Sequence, residues 1–240
     1  MFFESEEAKR EYINEKIKKY YPAFRTGGFY FRQLLTAALG ADKVVVDAGC
    51  GDGGIISEFV GQWQKLIGLD QNKELLDKNI VVDEKIFADL TRIPLADSSV
   101  DVIVSQFVLE HLAEPSKAFE EFNRILKPGG RFIFITPNIY HPIMLASRIL
   151  PFSLHKWLRK VLLKKEEESH RTFYRANSRR KLLELGKSCD FNDLQILRAG
   201  NPEYLGFCKA TVVPAILFEK LLSKKPFKNF QMYIMGEFEK

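Results

Sequence analysis

Residues 44–54 read VVVDAGCGDGG: three consecutive valines, a carboxylate at Asp47, and glycines at 49, 51, 53 and 54. The opening run is short, apolar and uninterrupted, as in a strand buried on both faces of a parallel sheet. The glycines that follow predict a tight strand-to-helix turn whose backbone can approach a ligand closely. In an open parallel sheet such a turn lies at the carboxyl end of its strand, where ligands bind near the switch point.

Working outward, the short apolar runs recur at KLIGLD (65–70), KIFADL (85–90), VDVIVSQ (100–106) and RFIFITPN (131–138). Helical patterns fill the gaps at 54–63, 72–79 and 114–126. Strands alternating with helices predict an α/β fold: a mostly parallel sheet with right-handed crossovers and helices on both faces. Residues 9–24 and 29–40 read as two helices ahead of the first strand, with a turn at 25–28. After Pro137 the alternation breaks into a long basic stretch of helical character to His170. A helix over 175–191 and late strands at 193–200 and 230–238 follow, with a helix at 211–223 between the strands. The chain is expected to be one domain over 1–240. Within it, 1–40 forms a helical cap, 41–138 the cofactor-binding core, 139–170 a helical lid over the acceptor site, and 171–240 the end of the sheet.

Apolar residues make up 46% and charged residues 28% of the 240, which suits a packed globular core and argues against disorder. Cys50, Cys189 and Cys208 have neither disulfide nor zinc spacing, so no metal site is expected and a reducing, cytoplasmic setting fits. The first ten residues are acidic where a signal peptide would be apolar, and no run of about 20 uncharged apolar residues occurs. The net charge of +5 is uneven: residues 141–240 carry +9 and residues 1–140 carry −4. Leu154, Trp157, Leu158, Val161 and Leu162 recur at helical spacing among Lys156, Arg159, Lys160, Lys164 and Lys165. That is the pattern of an amphipathic helix over the acceptor site, or of peripheral membrane contact through 150–165.

Gly49, Gly51 and Gly54 satisfy GxGxxG, a pattern too loose to choose a cofactor alone. Asp70, 23 residues beyond Asp47, is placed to accept hydrogen bonds from a ribose diol, as both NAD and S-adenosylmethionine (SAM) would require. Asp47 discriminates: a carboxylate before the first glycine attracts an ammonium and repels a pyrophosphate. Asp89 with Leu90 can read an adenine edge, the carboxylate accepting from the amino group and the Leu90 amide meeting a ring nitrogen. Leu126-Lys-Pro-Gly-Gly130 is a tight turn into the fifth strand.

DAGCGDG, GLD, ADLTRIPLADSSVDVIVSQFVLEHL and LKPGGRFIFITPN, over roughly Lys43 to Asn138, resemble the class I SAM-dependent methyltransferases in order and spacing. The resemblance is to the broad subgroup that includes quinone and small-molecule enzymes. It implies a Rossmann-like seven-stranded sheet with an antiparallel last strand and a helical insertion after strand five. It also implies SAM as methyl donor and S-adenosylhomocysteine as product. Asp47, Ala48, Gly49, Cys50 and Gly51 would hold the methionine portion and Asp70 the ribose, with Gln71 flanking the adenine. Asp89 and Leu90 would read the adenine edge, and Ser105 and Gln106 would border the sulfonium.

Methyl transfer is an in-line displacement that needs alignment, and for an oxygen or nitrogen acceptor a base. His111, just after strand four, is the first candidate; His141 and His170 are weaker ones. Cys50 reads as a small buried residue and Glu110 and Glu114 as a solvated helix face. The acceptor is expected to be a small or amphiphilic molecule rather than nucleic acid, for which no binding module is recognisable. The rival readings are an NAD-type oxidoreductase and a non-catalytic SAM-binding scaffold.

Overall fold

The structure is a computed structural model that describes residues 3–149 and 171–240. The basic stretch 150–165 and His170 therefore lie outside the described residues. The chain divides into two compact units. Among the described residues, one comprises 28–137, 171–197 and 234–240, the other 3–27, 138–149 and 198–233.

The first of these, the sheet unit, is built on seven strands: β1 (Val44–Ala48), β2 (Lys65–Asp70), β3 (Glu84–Phe87), β4 (Val100–Gln106), β5 (Leu126–Pro137), β6 (Asn192–Ala199) and β7 (Tyr233–Glu239). Their spatial order is β3-β2-β1-β4-β5-β7-β6. β1 pairs in parallel with β2 on one side and β4 on the other, Asp47 lying level with Gly68 and Val104. β4 pairs in parallel with β5, and Ser105 lies level with Phe134. β7 runs antiparallel to β5: the Gly129 amide donates to the Lys240 carbonyl at 2.9 Å and the Lys240 amide to the Gly130 carbonyl at 3.1 Å. Strand order reverses between β1 and β4, so their carboxyl ends diverge there and open a crevice.

The valines of β1 and the Phe-Ile-Phe-Ile run of β5 are uninterrupted because both sheet faces are covered. Phe119 and Phe122 of α4 (Pro115–Ile125) pack on Phe132, Phe134, Phe191 and Phe238. Neighbouring ring centroids there lie 4.8–6.4 Å apart. Each well-placed ring pair adds about 0.5–1.5 kcal/mol beyond its buried area. α2 (Gly27–Ala38), α3 (Lys73–Lys78) and α6 (Arg179–Ser188) supply the remaining helices of this unit.

One predicted helix is absent. The pattern over 54–63 forms only a short 3-10 turn at Ile55–Phe59. Val60 is already extended, and Gly61 has φ +86°, which ends any helical continuation.

The other unit packs α1 (Glu6–Tyr20) against α7 (Lys209–Leu222) through buried Ile13, Val212 and Ile216. Ser5 caps α1 by accepting from the Ala8 amide at 3.1 Å. α5 (Pro142–Ile149) follows β5 in the chain; the rest of the expected insertion lies outside the described residues.

Candidate active site

The glycine turn is fastened to the end of β2. The Gly49 and Cys50 amides both donate to the Leu69 carbonyl, at 2.7 and 3.1 Å. The Gly51 amide donates to Asp70 Oδ2 at 2.8 Å, and the Asn72 amide to Asp70 Oδ1 at 2.7 Å. Gly49 has φ +78°, and a Cβ there would run into the Val108 side chain, so only glycine fits. Gly51, at φ +48°, needs the same left-handed freedom to turn its amide toward Asp70.

Asp47 sits at the base of this turn, only 4% exposed. Among the described residues its carboxylate has no hydrogen-bond or ion-pair partner. Burial, and then the neighbouring Asp70 charge, push its pKa up to about 7. A buried carboxylate left this way lacks a cation. The donor set therefore fits the ammonium of an amino-acid ligand; a pyrophosphate would meet two carboxylates.

Both Asp70 oxygens already accept one amide each, yet a carboxylate has about four lone-pair sites, so a ribose diol can still be held. Gln71 beside it is exposed. Asp89 accepts from the Thr91 amide and hydroxyl through Oδ1 alone, both at 2.8 Å, leaving Oδ2 for a further donor. The Leu90 side chain is buried in the core, and so is Ala48. Gln106 Oε1 accepts from the Ile55 amide at 2.8 Å, tying the end of β4 to the glycine loop. Ser105 Oγ is buried and, among the described residues, has no hydrogen-bond partner. Burial drives the Cys50 thiol up to about 12, which rules it out as a nucleophile at neutral pH.

The loop after β4 departs from the sequence-based expectation. Phe107 is held at φ +57°, with its amide donating to the Ile135 carbonyl at 2.9 Å. That is a strained conformation for an aromatic residue, and it turns the chain sharply at the crevice. Glu114 is exposed, but Glu110 is 5% exposed and not part of a solvated face. Its Oε2 accepts from the Thr136 hydroxyl at 3.0 Å. The Asn177 amide group donates to Thr136 Oγ1 at 2.6 Å. Burial raises the Glu110 carboxyl to about 7. The Glu110 carbonyl accepts from the Phe173 and Tyr174 amides, which pins residues 173–174 to this loop. Glu110 reads as solvated in the sequence, and Thr136 and Asn177 are not singled out there; the polar Thr136 closing an apolar strand is the available signal.

The histidines part company. His111 is half-buried, with Nδ1 at 3.0 Å from the Arg171 carbonyl. A carbonyl only accepts, so Nδ1 is the donor in this contact. His141 is fully buried in the other unit: the Ile143 amide donates to its Nδ1 at 3.3 Å, and Nε2 lies 3.6 Å from Glu219 Oε1. Among the described residues no cluster of His, Cys, Asp and Glu could hold a metal ion.

A family model described as "Methyltransferase domain" matches residues 46–134, the span from β1 to β5 that builds this crevice. The malonyl-[acyl-carrier protein] O-methyltransferase of Yersinia pestis is 34% identical over 96 residues, covering 39% of this chain and 36% of that protein. The demethylmenaquinone methyltransferase of Oceanobacillus iheyensis is 26% identical over 144 residues, covering 55% and 60%. The chain's matches thus span less than two thirds of either relative. Among solved structures, geranyl diphosphate C-methyltransferase from Streptomyces coelicolor, solved with S-adenosyl-L-homocysteine, superposes with a TM-score of 0.62 at 17% identity. That likeness covers 98% of this chain and 83% of the other.

Proposed function

We propose, from the premise that the chain belongs to the class I SAM-dependent methyltransferases, that it moves a methyl group from SAM to a small or amphiphilic acceptor. The observation that carries this reading is the buried, unpartnered Asp47 carboxylate beneath the glycine turn. SAM, when bound, supplies an electrophilic methyl group on a sulfonium.

The chain's own residues then divide the work. Asp47 takes the ammonium of the methionine portion. Asp70 accepts the ribose hydroxyls while its amide contacts keep it from swinging away. Asp89 and the Leu90 amide take the adenine edge, with Gln71 beside it. Ala48, Gly49, Cys50 and Gly51 shape the backbone of the cradle, and Ser105 and Gln106 line its β4 wall. His111 accepts the proton of an oxygen or nitrogen nucleophile.

The malonyl-[acyl-carrier protein] and demethylmenaquinone methyltransferases among the relatives favour a small or amphiphilic acceptor. A cytoplasmic setting and peripheral membrane contact through 150–165 belong to the same proposal. So does service of residues 139–170 to the acceptor. No described helix is long and apolar enough to cross a membrane.

Calorimetric titration tests the cofactor. S-adenosylhomocysteine should bind the wild-type chain and NADH should not. Binding of NADH with no response to S-adenosylhomocysteine would overturn the reading.

A further inference from the structure

In the unit that holds α1 and α7, one helix face and the turn beyond it leave apolar side chains in water. Leu217 is 50% exposed and Leu221 43%. They stand four residues apart on α7, with exposed Pro214 three residues before, on the same face. A 3-10 turn at Lys225–Phe230 follows, in which Phe227 is 41% and Phe230 37% exposed. Every residue from Lys224 to Phe230 is exposed. A phenylalanine costs free energy in water, and two in one short turn form a patch that calls for an occupant.

The charges around the patch say which occupant. Lys224, Lys225 and Lys228 alternate with the apolar residues of the turn. Lys220 lies at the flank and donates to the Tyr20 carbonyl at 3.1 Å; in α1, exposed Lys18 and Lys19 directly precede Tyr20, with exposed Glu15 a turn earlier. From Lys209 to Met232 the sequence has a single carboxylate, Glu219, and that one is 2% exposed. The surface is thus apolar and cationic with no exposed carboxylate of its own. The turn is also held in shape from beneath: the Asn138 side-chain amide donates to the Asn229 and Gln231 carbonyls, both at 2.8 Å.

We propose that this face, Pro214 to Phe230, seats the chain on an anionic membrane surface. Phe227, Phe230, Leu217 and Leu221 enter the headgroup boundary, and Lys224, Lys225 and Lys228 meet lipid phosphates. The inference is independent of the methyl-transfer reading and rests on a different stretch from 150–165.

Co-sedimentation of the full chain with vesicles tests it. The chain should pellet with vesicles of equal parts phosphatidylglycerol and phosphatidylcholine, stay in solution with phosphatidylcholine alone, and be released by molar salt. Phe227→Ser with Phe230→Ser, and separately Lys224→Glu with Lys225→Glu and Lys228→Glu, should each weaken binding at least about fivefold per residue changed. Both variants should keep wild-type affinity for S-adenosylhomocysteine. In a Phe227→Trp chain the tryptophan emission should shift to the blue on the mixed vesicles. Unchanged pelleting of both variants would overturn the proposal. So would loss of binding only when Lys156, Arg159 and Lys160 are replaced. Binding of a single-stranded oligonucleotide in place of vesicles, or a dimer that falls apart in the phenylalanine variant and ignores vesicles, would likewise reject it.

Discussion

The Gly51 amide donates to Asp70 Oδ2 at 2.8 Å, so the glycine loop after β1 and the carboxylate ending β2 are one rigid piece. Asp47 lies within the electrostatic reach of that carboxylate. Burial and the Asp70 charge raise the Asp47 carboxyl to about 7, and a cationic ligand beside it would favour its ionised form.

Replacing Asp47 with Asn should weaken S-adenosylhomocysteine binding by roughly 10- to 100-fold, the range of one charge-assisted hydrogen bond. The unliganded chain should melt at the same or a higher temperature, because a buried lone charge has gone. Calorimetry and a thermal scan read both. A variant that binds as well as wild type removes the ammonium role.

The pH dependence has a definite sign. Asp47 and Glu110 both have folded pKa values raised to about 7, above their unfolded values. Their contribution to stability is therefore present at low pH and is lost as pH rises from about 4 through 7. Ligand binding should run the other way, since the ammonium needs the ionised Asp47. The melting-temperature gain on adding S-adenosylhomocysteine should grow between about pH 6 and 8 and then level off. In Asp47→Asn that growth should flatten.

Gly49→Ala forces a side chain into the left-handed region and against Val108. Roughly 1–3 kcal/mol of stability should be lost in urea titration from the backbone strain alone. Adding Val108→Ala should return the steric part and leave the backbone part.

Thr136→Val leaves the buried Glu110 carboxylate without its hydroxyl donor and should cost about 1–3 kcal/mol. Glu110→Gln should cost less, since the amide can still accept from Thr136. A double-mutant cycle between the two should give a coupling of about 0.5–3 kcal/mol.

His111→Gln should lower turnover by about 10²- to 10⁴-fold on an oxygen or nitrogen acceptor, with S-adenosylhomocysteine affinity unchanged. Unchanged turnover would assign the ring to packing against the Arg171 carbonyl alone.

The sheet was readable because its strands are buried on both faces, and burial on both faces writes itself as unbroken apolar runs. The glycine turn was readable because its backbone tolerates nothing else at Gly49. The helix expected at 54–63 failed because the apolar spacing was helical while Val60 and Gly61 imposed other backbone angles. Glu110 was misread because its burial depends on Thr136 and on residues 173–177, which are distant in sequence. A carboxylate followed by a histidine and a leucine looks amphipathic until the segment covering it is placed. The exposed face of α7 was not legible for a similar reason: helical spacing alone does not say which leucines face water.

The Cys50 thiol, sunk in the turn at a pKa of about 12, has a bearing on handling. A thiol that is 3% exposed and forms so little thiolate is a poor target for alkylation, so iodoacetamide should label Cys50 more slowly than the half-buried Cys208.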